Sequence, residues 1–91
     1  MSLFDLTGFQ RDLLYVVASL NQPSGQVIKE RMEEETGIDV NHGRLYPNLD
    51  TLVEKGLVTK GEIDRRTNYY MLSDKGKQAL VERREWEEEF F

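Results

Sequence analysis

Apolar residues recur along this chain at helical spacing in four stretches, and two short runs between the third and fourth are rich in strand-forming types. The first stretch holds Leu13 to Ala18 without a polar interruption. Thr7 is placed to cap it, it extends to about Leu20, and "NQPSG" ends it. Ser24 caps a second helix, Gly25 to Thr36, with Gly37 as its left-handed stop. After the connector "IDVNH", a third helix runs from about His42 to Lys55 and closes at Gly56. "LVTK" and "YYML" read as two strands joined by "GEIDRRTN", a hairpin with a polar, basic tip. Ser73 caps a last helix from Asp74 to about Phe90. This order is that of a winged helix-turn-helix: α+β, mostly α, with three helices, a two-stranded wing and one additional C-terminal helix. Residues 1–72 form the winged domain with its N-terminal helix, and 73–91 form a C-terminal dimerisation helix of the same structural domain.

The third helix contains a contradiction. In "GRLYPNLDTLVEKGLV", Leu45, Leu52 and Val53 lie within about 60° of Leu49 at about 100° per residue, which makes them a core face. Pro47 sits among them, although a proline forfeits one backbone donor and crowds the carbonyl four residues back. The wheel places Pro47 on the outer side with Gly43, Arg44, Thr51 and Glu54, with Asn48 on the flank. The bond it forfeits is to the carbonyl of Gly43, which water can satisfy. That outer face is compact, polar and close to the helix start, and a helix entering the DNA major groove presents its first residues to base edges. Arg44 and Asn48 carry the donors that fit guanine or adenine edges, and Tyr46, at the rim, can put its hydroxyl on a phosphate. A surface helix with no partner would also be polar outside, so this helix alone leaves both readings open.

The wing adds weight. Lys60, Arg65 and Arg66, with Thr67 and Asn68, suit backbone phosphates or the minor groove; the plainer reading is a basic turn that blocks edge-to-edge strand pairing. Ser24, Gln26, Asn41 and His42, at the starts of the second and third helices, complete the candidate DNA-binding set.

Charge complicates this picture. The 91 residues carry a net charge of −5, which opposes a nucleic-acid partner at face value. The segment 41–69 nevertheless has five basic side chains against four acidic ones, +1, leaving −6 for the rest. The acids gather in Glu33–Glu35 and in Glu82, Glu85 and Glu87–Glu89, which read as solvated helix faces or as adaptation to a high-salt cytoplasm.

With these residues in view, the chain resembles the PadR family of transcriptional regulators. "GRLYPNLDTLVEKGLV" is similar to that family's recognition-helix signature, and "RRTNYYMLSDKGKQAL" to its wing and the start of the following helix. The resemblance spans roughly Leu13 to Leu80. It implies a dimeric DNA-binding repressor or activator on an inverted repeat, with Gly43, Arg44, Tyr46, Pro47, Asn48 and the wing arginines at the DNA. It looks like a compact form without a separate effector domain, and its acidity would suit a halophilic archaeon or its virus.

Both termini carry surplus apolar surface. Ala79, Arg83, Trp86 and Phe90 form one stripe of the last helix, and Phe91 follows. Leu3, Phe4 and Leu6 precede the first helix, in which Leu14 and Val17 belong to a run hydrophobic on both sides. Together they suggest a two-fold interface. The competing arrangement folds the last helix back on its own domain, and a small-molecule effector slot between protomers is a further option.

Other classes find little support. There is no cysteine, and His42 is the only histidine, so neither a disulfide nor a metal site is expected. No candidate nucleophile or glycine-rich phosphate loop accompanies the carboxylates, so neither an enzyme nor a cofactor is expected. No run is long enough to span a membrane, and a cytoplasmic protein is the simplest placement. The expected function is a sequence-specific, homodimeric regulator of double-stranded DNA, in the sense of a repressor. The alternative is a winged-helix adaptor that binds another regulator instead of DNA.

Overall fold

The computed structural model describes residues 3–91. An opening 3-10 turn, Leu3–Asp5, precedes α1 (Gly8–Ser19), α2 (Gly25–Thr36), α3 (His42–Glu54), β1 (Val58–Asp64), β2 (Thr67–Leu72) and α4 (Asp74–Glu88). The boundaries follow local chemistry. Thr7 accepts the N–H of Gln10 and donates its own N–H to the Gln10 side chain, a reciprocal capping box. Ser24, Asn41 and Ser73 cap α2, α3 and α4 by accepting from Val27, Arg44 and Gly76. Gly37 ends α2 at φ 70°, in the left-handed region where a side chain is strained.

The core unites all the elements. Leu13, Leu14 and Val17 of α1 meet Ile28 and Met32 of α2 and Leu45, Leu49 and Leu52 of α3, with Leu57, Val58 and Tyr70 from the base of the wing. Each such side chain contributes roughly 1.5–3 kcal/mol by leaving water. Gly76 lets α4 dock: a Cβ there would strike the backbone carbonyl of Leu57. That same carbonyl accepts the N–H of Ser73 at 3.0 Å.

The wing is longer than the apolar pattern suggests. β1 and β2 pair antiparallel from Val58↔Leu72 to Asp64↔Thr67, leaving only Arg65 and Arg66 as the turn. Residues 59–64 are largely exposed, so their side chains carry little apolar alternation to read. Tight hairpins favour turns with positive φ, and neither arginine adopts one. Instead the register shifts between Glu62 and Asp64, a bulge that absorbs the mismatch in twist. The free edge of β2 is partly covered, because Tyr70 donates its N–H to the carbonyl of Pro23 at 2.9 Å and Ser24 bridges to Tyr69.

One expectation is corrected by burial. Leu3, Leu6, Leu14, Val17 and Ala79, assigned above to a dimer interface, are at most 5% exposed within the protomer. The reason is that α1 packs against α2, α3, β2 and α4 of its own protomer, and the opening turn packs against α4. These residues have no surface left to offer a second copy.

Candidate nucleic-acid interface

α3 exposes the face that the wheel assigned to the outside. His42, Gly43, Arg44, Tyr46 and Pro47 are exposed, whereas Asn48 and Thr51 are half-buried at its margin. Pro47 lies in the second turn, on the solvent side, where a missing N–H costs least. Tyr46 crosses onto the start of α2, so close to Gly25 that a Cβ there would lie 2.5 Å from its hydroxyl. Glycine at that position lets the two helices of the motif approach. The His42 ring lies 5.7 Å from that of Tyr46, and its Nε2 is 3.5 Å from the Gln26 side-chain oxygen.

Several candidate side chains have work inside the protein. The Asn41 side chain accepts the Arg44 N–H at 2.8 Å, and Ser24 accepts that of Val27 at 3.3 Å, so both are helix caps. Thr51 donates to the Pro47 carbonyl at 3.0 Å. Asn48 donates to the Arg44 carbonyl at 2.7 Å and accepts from Gln10 at 3.0 Å. The Arg44 guanidinium lies over the Phe9 ring at 3.9 Å. Sequence reasoning missed Phe9 and Gln10, because nothing local to the start of α1 points to partners on α3.

In the wing, Arg65 and Arg66 are exposed at the turn, and the Arg66 N–H donates to the Asp64 carboxylate at 2.9 Å. Thr67 and Asn68 start β2 and are half-buried. Lys60 was expected near the basic tip, and this is corrected: it sits opposite Tyr70 in the lower wing, 3.7 Å from Asp50 of α3. Its ammonium ties the wing to the helix. Burial pushes the Tyr70 phenol up from its ordinary pKa, with Asp50 and Tyr46 acting in the same direction.

The acidic run also holds a positioned group. Glu33 accepts the Val40 N–H at 2.9 Å and pairs with Lys29 at 3.2 Å, which fixes the connector ahead of α3. The bond from Val40, and then Lys29, lower its carboxyl pKa.

Away from this face, Phe4 meets Trp86 edge-on at 4.8 Å, Trp86 meets Phe90 at 5.0 Å, and the Arg83 guanidinium lies 4.6 Å from the Trp86 ring. Phe90 remains 71% exposed and Phe91 fully so. Among the described residues no group of three or more acidic or histidine side chains could hold a metal ion, and no helix is long and apolar enough to cross a membrane.

This arrangement has close counterparts. Residues 13–82 match the model of the transcriptional regulator PadR-like family. Among solved structures, RosR of H. salinarum is similar. In the complex structure of RosR-SG it is 48% identical with a TM-score of 0.93, over 100% of this chain and 80% of that one. In the structure of RosR grown from NaBr it is 50% identical with a TM-score of 0.87, over 93% and 76%. In the RosR-S1 complex structure it is 52% identical with a TM-score of 0.86, over 91% and 73%. No curated protein matches the chain in sequence.

Proposed function

The chain belongs to the PadR-like family of transcriptional regulators and is not an enzyme, and from that premise we propose that it represses transcription as a homodimer bound to an inverted-repeat DNA operator in the cytoplasm. α3 enters the major groove, with Arg44 reading a base edge and Tyr46, His42 and Gln26 facing phosphates. Arg65 and Arg66 of the wing reach the flanking backbone or minor groove. The observation that carries this reading is the exposure of cationic and polar side chains at the start of α3 and at the wing turn, in a segment of net charge +1 while the rest of the chain carries −6.

The second copy docks through Phe4, Trp86 and Phe90, whose rings form one cluster at the end of α4, and through the fully exposed Phe91 that follows. Two protomers related by a two-fold axis would set their α3 helices about one turn of DNA apart. Acidity and salt fit together here: H. salinarum, the source of the similar structures, is halophilic. Carboxylates near the DNA would take up cations on binding, so affinity falls less steeply with salt than counterion release alone dictates.

The net charge of −5 favours a second reading, an adaptor that binds another regulator. Hydroxyl-radical footprinting on duplex from the gene's own upstream region separates the two. The regulator protects two patches about one helical turn apart on one face of the duplex. A folded protein that protects none is the adaptor.

A further inference from the structure

Two consecutive residues of α1 hold two residues one turn apart on α3. Phe9 lies under the Arg44 guanidinium, and Gln10 bonds to Asn48. The polar half of this contact has a single possible polarity. At one end the Thr7 backbone N–H donates to the Gln10 side chain at 3.1 Å, so the accepting atom is oxygen and the amide nitrogen turns outward. That nitrogen meets Asn48 at 3.0 Å, so Asn48 presents its oxygen to Gln10. Its own nitrogen then faces the Arg44 carbonyl at 2.7 Å, and a carbonyl only accepts. An unambiguous donor at one end and an unambiguous acceptor at the other leave neither amide free to flip.

We propose that Phe9 and Gln10 are positioning residues for sequence recognition: they fix the orientations in which Arg44 and Asn48 meet DNA. The proposal rests on the DNA-binding reading of α3. The ring face holds the guanidinium plane, while the donors on its edge stay available for a bidentate pair. The amide relay leaves Asn48 one spare N–H and one spare lone pair in a set arrangement, so it admits one pattern of base edge and refuses the reverse. Specificity is thereby written partly on α1, a helix whose role in the motif is otherwise support.

Three substitutions at two positions address this without removing packing or cap. Phe9→Leu keeps an apolar side chain against the core and removes the ring face, while Phe9→Tyr retains that face. Gln10→Glu keeps an oxygen for the Thr7 N–H, as in an ordinary capping box, but offers Asn48 an acceptor where it had a donor. Either orientation of the Asn48 amide then sets oxygen against oxygen, at the new carboxylate or at the Arg44 carbonyl, so its fixed arrangement is lost. The experiment is selection from a pool of duplexes with a randomised centre, read by sequencing, with thermal unfolding of every variant alongside.

With melting temperatures near that of the wild type, Phe9→Leu should flatten the enriched motif at one base pair. The preference there should fall roughly tenfold, and Phe9→Tyr should retain it. Gln10→Glu should flatten the preference at a neighbouring position, since Asn48 is no longer held in one orientation. Folded variants that enrich the wild-type motif unchanged, or that lose affinity equally for all duplexes, overturn the proposal. A folded wild type that enriches no motif would instead remove the DNA-binding reading itself.

Discussion

The Glu33 carboxylate accepts a hydrogen bond from the Val40 backbone N–H at 2.9 Å, across the connector that sets α3 against α2. One member of an acidic run therefore fastens the turn of the motif. Its carboxyl pKa is lower in the folded chain than the ordinary 4.5. A lowered carboxylate contributes stability that is fully present above its unfolded value and is lost as pH falls through the folded one. Acidification below about pH 4.5 should therefore loosen the connector, and the Val40 amide resonance should report it. Glu33→Ala should unfold at lower temperature near neutrality, with a flatter dependence on acid; an unchanged acid limb would mean that the bond contributes nothing.

Arg44→Ala should weaken specific binding by about 1–3 kcal/mol and relax the preference at one base position. Competition between operator and scrambled duplex measures both. Unchanged specificity would take Arg44 off the reading face.

Arg65→Ala and Arg66→Ala should each weaken binding to every sequence alike and reduce the salt slope by about one. Titrations on operator and unrelated duplexes across a salt series distinguish this from a loss confined to the operator, which would make the wing a base reader.

Trp86→Ala should shift the protein toward monomer. Trp86 is 37% exposed in the protomer, so an interface buries its remaining surface, a fraction of the roughly 1.5–3 kcal/mol of full burial, and a two-fold interface loses that fraction twice. Sedimentation showing an intact dimer would place the interface elsewhere.

Gly25→Ala should disturb the crossing of α2 and α3, since the added methyl meets the Tyr46 ring at 2.5–2.8 Å. The ring must swing aside, at a cost of about 1–3 kcal/mol typical of overpacking. Thermal unfolding measures that cost, and an unchanged melting temperature would show that Tyr46 moves freely.

The fold was legible where one residue decides a boundary. Thr7, Ser24, Gly37 and Ser73 mark helix ends by side-chain or backbone chemistry local to each, and α3 announces its buried face through Leu45, Leu49 and Leu52. The wing was legible only at its base, where Val58 and Tyr70 are buried; farther out the strands face water and their side chains carry little pattern. Partners distant in sequence were hidden for a different reason. Nothing local to Lys60 points to Asp50, nor anything at Gln10 to Asn48, because the fold alone brings these pairs together. In the apolar run of α1, Leu13, Leu14 and Val17 were legible as hydrophobic but not as buried within the protomer, where α4 from the other end of the chain also packs on α1, while Tyr15 and Ala18 stay exposed.

DNA binding is tested most directly by a fluorescence-anisotropy titration of the protein on duplex DNA from its own upstream region, repeated from low to molar potassium chloride. The expected result is tight, sequence-preferring binding that survives into high salt, with a slope shallower than the phosphate contacts alone would give. A folded protein that binds no duplex at any salt would contradict it.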